Sequence, residues 1–292
     1  MYLFVENLMN LDFSYFCDNH GLVGESFLVD VSLHGELNED GMIFDFGLFK
    51  SIIKKYVNEH VDHKLLLPML NNNVVTEDYQ EGYKRAYCKY QNDCFVVESP
   101  VAAYCLIESK QINKEVLTDY LNKKLQAILP SNVVSVEVQL QSDSDAKTLF
   151  SYSHGLEKHL GNCQRIAHGH RSIISVRSNN EQQVDIERYW QERWNNKYLA
   201  SSSHLKKFTK VLFLQDKKIE IGCSDYYLLS YQGSQGFFNL YINKMACELL
   251  DSETTVELLA KFVAYKSIEL FKLSNVEIRL YEGVGKGFVF NL

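Results

Sequence analysis

The chain has 292 residues, a formal net charge of −7 and 46% apolar residues, enough core for one large domain or two of ordinary size. The acidic balance, with no dense run of Lys or Arg, argues against nonspecific nucleic-acid binding, which needs a positive field to displace counterions. Seven cysteines, an odd count without a C-x-x-C pair, disfavour a disulfide framework. No apolar run approaches a membrane span, and the opening MYLFVENLMNLDF lacks the basic region and cleavage site of a leader. A cytoplasmic protein is therefore expected.

In chain order, the elements read as an imperfect duplication. Phe13-Ser14-Tyr15 and Ser26–Leu33 have the β-branched, aromatic and polar mix of strands. Met42-Ile43-Phe44-Asp45-Phe46 leads into a helix, and Asp62-His63 follows it. A strand-rich insertion covers about residues 72–105, after which Glu115–Leu121 has apolar residues at helical spacing. Val136–Leu140 alternates as a half-buried strand does. The polar run SDSDAK, near residues 143–147, reads as a join. Beyond it Phe150-Ser151-Tyr152, Ser172–Ser178, Val184-Asp185-Ile186 and Ser203-His204 echo the earlier pieces in the same order. Asp185 stands opposite Asp45, and Ser203-His204 opposite Asp62-His63. A second insertion at about 211–248, a helix at Glu257–Val263 and a strand at Val276–Leu280 complete the echo. The expected fold is α+β. Residues 1–143 and 147–292 form tandem repeats, each a four-stranded antiparallel sheet with two helices on one face.

The halves differ in chemistry. The second contains His154, Cys163 and His168-Gly169-His170. Residues two apart on a strand share a face, so His168 and His170 can converge on one cation. A hairpin with the strand ending at His154 would add a third nitrogen, and three histidines with one open position is the pattern of catalytic zinc. Gly169 would let backbone or ligand approach closely. In the first half His154 corresponds to about Cys17 and the H-x-H to about Gly24-Glu25, so no metal is expected there.

These residues resemble the 6-pyruvoyl tetrahydropterin synthase and 6-carboxytetrahydropterin synthase family, of the tunnelling fold. The second half matches its pattern through Ser153-His154, Cys163, His168-Gly169-His170, Asp185, His204, Glu257 and Glu282. The first matches through Gly41–Phe46, Asp62-His63 and Glu115. The sequence departs from the pattern at Ser203, where the family has Asp, at Thr254, where it has Pro, and at Gly283, where it has Thr. The resemblance implies Zn2+ on His154, His168 and His170, with Cys163 as base. It implies proton transfer assisted by Asp62 and His63 or by His204, and pterin binding at Glu282, with Glu257 beside it. The implied activity is a lyase reaction on 7,8-dihydroneopterin triphosphate, in queuosine or biopterin biosynthesis. Lys158, Arg165, Arg171 and Lys286 are bases available to a triphosphate. The alternative is a catalytically altered, zinc-containing pterin- or purine-binding protein. The expected partners are a small pterin and further copies of the chain in a barrel-shaped homo-oligomer, with neither nucleic acid nor membrane. Because the family's site lies between subunits, Asp62-His63 of the first half is expected to serve Cys163 of the second.

Overall fold

The computed structural model describes residues 1–142, 149–214 and 218–292; the expected join at 143–147 lies outside them. The first half opens on a long hairpin of β1 (Tyr2–Cys17) and β2 (Gly21–Gly35), then α1 (Phe46–His60) and β3 (Leu65–Pro68). A meander follows: β4 (Val74–Gln80), β5 (Tyr83–Tyr90) and β6 (Asp93–Pro100). Next come β7 (Tyr104–Ile107), α2 (Lys114–Gln126) and β8 (Val133–Gln141). The second half begins with β9 (Leu149–His154), β10 (His168–Ser178), β11 (Glu181–Gln182), α3 (Val184–Trp194) and β12 (Lys197–Ser201). Its inserted strands are β13 (Leu205–Lys206), β14 (Lys210–Leu214), β15 (Lys218–Gly222), β16 (Tyr226–Gly233) and β17 (Gly236–Asn243). It ends with β18 (Cys247–Leu250), α4 (Val256–Phe271), β19 (Val276–Tyr281) and β20 (Gly287–Asn291).

Two main sheets share one strand order. The first runs β7-β3-β1-β2-β8, and the second runs β18-β12-β9-β10-β19-β20, with β11 beside β10. Both are mixed rather than purely antiparallel, because β3 and β7, like β12 and β18, add in parallel to the hairpin. These added strands are short; Leu65–Pro68 is buried along its whole length. Such strands lack the alternation that reveals a half-buried strand in sequence.

Each helix start is legible locally. Asp45, Asn113 and Thr255 cap α1, α2 and α4, each accepting a backbone N–H from three residues on. Helix α3 has no side-chain cap but carries Asp185 and Glu187 in its first turn, where a carboxylate meets the positive end of the helix dipole. Asp45 is thus a cap while Asp185 lies inside its helix. In the first half α1 and α2 cover one sheet face through Phe49, Ile53, Leu117 and Leu121. In the second, α3 and α4 do so through Trp190, Trp194, Leu259 and Val263.

The two insertions join in a single sheet, ordered β13-β16-β17-β6-β5-β4. Its seam is the antiparallel pair β6–β17, with Val97 opposite Leu240 and Phe95 opposite Ile242. Glu98 is buried at this seam, where Arg85 and Asn239 satisfy its carboxylate. The apolar face packs on Leu65 and Leu67 of one main sheet and Tyr198 and Ala200 of the other.

The main sheets touch backbone to backbone. A Cβ added at Gly169 would lie 2.7 Å from the Gly24 Cα, and one at Gly24 would overlap the Tyr152 carbonyl oxygen. Beside this contact Ser14 Oγ and Ser153 Oγ are hydrogen-bonded at 2.7 Å. Ser14 pairs with Gly24 across β1–β2, and Ser153 with Gly169 across β9–β10. These facing pairs fix the correspondence between the halves and correct the reading from sequence. Tyr15, not Cys17, takes the place of His154. Val23 and Glu25, on either side of Gly24, take the places of His168 and His170.

A second correction concerns Asp62-His63. His63 has φ 54° and Asn196 φ 58°. His63 N–H donates to the Asp12 carbonyl at 2.6 Å, and Asn196 N–H to the Ser151 carbonyl at 2.7 Å. Asp62 Oδ1 accepts from Asp12 N–H at 3.0 Å, and Asn195 Oδ1 accepts from Ser151 N–H at 3.1 Å. Asp62-His63 therefore corresponds to Asn195-Asn196, not to Ser203-His204, which lies beyond β12 in a 3-10 turn.

Candidate metal centre and active site

His154 ends β9 opposite His168, the first residue of β10. His170, two residues on, shares the face of His168. One nitrogen from each of the three rings lies within 4.8 Å of the others, and all three side chains are buried. The outward-turned nitrogens are anchored. His154 Nδ1 donates to the Thr254 carbonyl at 3.0 Å, and His168 Nδ1 donates to the Arg165 carbonyl at 2.7 Å. Those bonds fix the tautomers and leave a lone pair on each Nε2. Neither Nε2 has a hydrogen-bond partner, a condition that costs about 1–3 kcal/mol per buried group. Burial, with the neighbouring imidazoles, holds His154 and His168 far below the ordinary imidazole range, so both stay neutral. Two neutral imidazoles with converging, unsatisfied lone pairs fit a borderline-soft cation such as zinc.

His170 is the ligand candidate tied to the other half. Its Nδ1 lies 3.3 Å from Asp12 Oδ1, and its Nε2 3.9 Å from Glu282 Oε1. The Asp12 approach is an ion-pair distance without hydrogen-bond alignment. Asp12 is 1% exposed, accepts from Ser26 Oγ–H at 2.5 Å and from Lys286 Nζ at 2.7 Å. Burial disfavours its charge, but His170 and Lys286 outweigh that and hold the carboxyl well below the usual carboxylate range. In sequence Asp12 is an ordinary polar residue of a strand, and only the crossing of the sheets reveals its neighbours.

Cys163 sits in a 3-10 turn, Asn162–Gln164, on the loop between β9 and β10. The loop closes on itself through Leu156 N–H donating to the Cys163 carbonyl at 3.0 Å. His63, Cys163 and His168 each offer an atom within 4.8 Å of the others. Thus the first half's Asp62-His63 meets the second half's thiol within one chain. His63 Nδ1 lies 2.6 Å from Asp62 Oδ2. Burial opposes charge on His63, yet its bonds to Asp62 and to the Cys163 thiol prevail and raise it to about 10. Arg165 reinforces the junction, donating to the Asp62 carbonyl at 3.2 Å and to Gln235 Oε1 at 3.2 Å. Its burial lowers the guanidinium to about 10 against the pull of Asp62 and Cys163.

The other expected residues divide. Glu282 is partly exposed beside His170. Glu257 is exposed in the first turn of α4; Thr254, three residues earlier, is the one that reaches a histidine. His204 lies with Glu157, Glu253 and the Tyr231 ring instead, and burial lowers it despite the two carboxylates. Of the bases considered for a triphosphate, Lys158 pairs with Glu253, Arg171 with Glu25 and Lys286 with Asp12.

A family model described as 6-pyruvoyl tetrahydropterin synthase matches residues 17–146. That span lies in the half without the three histidines. A putative 6-carboxy-5,6,7,8-tetrahydropterin synthase of Methanocaldococcus jannaschii is 32% identical over 122 residues, covering 40% of this chain and 71% of that protein. One of the same description from Pyrococcus abyssi is 24% identical over 133 residues, covering 46% and 76%. A solved 6-pyruvoyltetrahydropterin synthase from Plasmodium vivax aligns at 22% identity and a TM-score of 0.39, over 49% of this chain and 93% of that one. No helix among the described residues is long and apolar enough to cross a membrane. Its relationship to the Methanocaldococcus protein makes this chain a member of the 6-pyruvoyl and 6-carboxytetrahydropterin synthase family.

Proposed function

We propose that the chain is a zinc-dependent pterin synthase-like lyase acting on 7,8-dihydroneopterin triphosphate, with one active site per chain assembled from two diverged tandem repeats. The observation that carries this reading is the meeting of His63, Cys163 and His168 across the two halves. The names of the archaeal relatives favour the 6-carboxy type of reaction.

His154, His168 and His170 would hold the zinc ion, which when bound would act as a Lewis acid toward substrate hydroxyls and acidify the adjacent C–H. Cys163 takes that proton at Sγ. His63, kept charged by Asp62, faces the thiol and returns a proton from its imidazole to the reacting side chain. Glu282, at the rim of the cluster, accepts hydrogen bonds from the aminopyrimidinone edge of the pterin, which a carboxylate can do in a bidentate manner. Asp12 and Lys286 hold the wall between His170 and Glu282.

Among the described residues, the outer strands β7 and β8 of one sheet, and β18 and β20 of the other, have a strand neighbour on one side only. Association of several chains into a barrel would pair such edges.

The test is turnover of dihydroneopterin triphosphate by Asp62→Asn and His63→Ala, with zinc measured in the same preparations. Turnover should fall about 10²–10⁴-fold, the usual worth of a proton-transfer group, while about one zinc per chain remains at the histidines. Unchanged turnover in both variants would refute the composite site. Release of a two-carbon fragment with product would identify the carboxy-type reaction, and its absence the pyruvoyl type.

A further inference from the structure

A second cluster with the donor set of a cation site lies outside the three-histidine centre. His204, Glu157 and Glu253 come from three separate segments: the 3-10 turn after β12, the loop after β9 and the stretch before α4. One donor atom from each lies within 4.8 Å of the others. His204 Nε2 is 3.4 Å from Glu157 Oε2 and 3.9 Å from Glu253 Oε1. The His204 side chain is 4% exposed, yet its Nε2 has no aligned hydrogen-bond partner, and neither has the buried Glu253 Oε2. A buried imidazole nitrogen and a buried carboxylate oxygen both left unsatisfied at one point are costly. A divalent cation would satisfy both.

We propose that His204, Glu157 and Glu253 bind a second divalent metal ion of the zinc or manganese class. One imidazole and two carboxylates form a mixed N,O set that suits these ions, whereas calcium and magnesium favour oxygen alone. Lys158 is the competing cation, 3.7 Å from Glu253 Oε1, but its side chain is 79% exposed and free to swing into solvent.

The position gives such an ion a structural consequence. Glu157 lies on the loop that carries Cys163, next to Leu156, whose N–H holds the Cys163 carbonyl. Glu253 precedes Thr254, whose carbonyl and hydroxyl both meet His154 Nδ1. An ion joining the three segments would tie the cysteine loop to the segment that orients a histidine of the main centre.

The test is equilibrium dialysis of the metal-free full chain against Zn2+, and separately Mn2+, with metal per chain determined by elemental analysis. Two zinc ions are expected in the wild type. One is expected in His204→Ala, in the near-isosteric double variant Glu157→Gln/Glu253→Gln, and in His168→Ala. Circular dichroism checks that each variant is folded, and the double variant serves if His204→Ala is not. Retention of two ions by the folded double variant, or a wild type that binds a single ion lost only in His168→Ala, would overturn the proposal. A single wild-type ion lost in the Glu157/Glu253 variant but kept in His168→Ala would uphold it while removing the three-histidine centre.

Discussion

The first half carries Asp62-His63 on a left-handed turn, and Tyr15, Val23 and Glu25 where the second half has its histidines. The second half carries His154, His168 and His170, and Asn195-Asn196 on the equivalent turn. Each half carries a group that the other does not. The two turns share a backbone role despite their different chemistry: Asn195 Oδ1 accepts from Ser151 N–H as Asp62 Oδ1 accepts from Asp12 N–H. At the histidine positions the half-buried Glu25 pairs with Arg171, 3.5 Å away, so an ion pair fills that place in the first half. A turn and a strand crossing tolerate substitutions that a metal site and a proton relay cannot.

The comparison is broken most directly at Cys163. If the second half alone holds the base, Cys163→Ala should lower turnover at least about 10³-fold with zinc content unchanged, since removing a chemical group spares binding. Next in size is the contact that brings the halves together. Gly24→Ala would push a methyl into the Tyr152 carbonyl and should cost about 3 kcal/mol of stability, read as a lower denaturant midpoint. The first half's carboxylate behind His170 comes third: Asp12→Ala should weaken zinc binding about 10–100-fold, the usual penalty for losing a group that supports a ligand.

The Asp-His turn allows a pH test. His63 stands at about 10 in the fold against an ordinary 6.5, so its charged pairing stabilises the fold fully below about pH 6.5. That contribution is lost as pH rises through about 10. In metal-free protein Asp62→Asn should cost about 1.5–3 kcal/mol near neutrality, and the difference from wild type should shrink toward pH 10.5. A constant difference would mean that Asp62 acts only through its bond to the Asp12 amide. The smallest effect concerns the opposite turn. Asn195→Asp with Asn196→His places the pair where the facing positions are Tyr15, Val23 and Glu25, so turnover and zinc content should stay unchanged. A doubling of either would show that the first half retains a usable site.

Much of the architecture was legible because local rules carried it. Helices α2 and α4 followed from apolar spacing, β8 and β19 from alternation, and the convergence of His154, His168 and His170 from two histidines on one strand face plus a third before them. The register between the halves was not legible. The Phe-Ser-Tyr echo aligned β1 and β9 two residues out, and a shift of two keeps every side chain on its own face, so no hydrophobic pattern can detect it. Ser203-His204 attracted the Asp-His assignment because a histidine was present, although the true equivalent, Asn195-Asn196, contains none.

The sequence by itself determined the element types, the helix caps at Asp45, Asn113 and Thr255, and the residues able to hold a metal, since these depend on neighbours a few positions away. Tertiary structure alone decided that Gly24 and Gly169 let two sheets meet, that both insertions share one sheet, and that Asp12 arrives beside His170. Those are contacts between residues about a hundred or more positions apart, and packing, not local propensity, selects them.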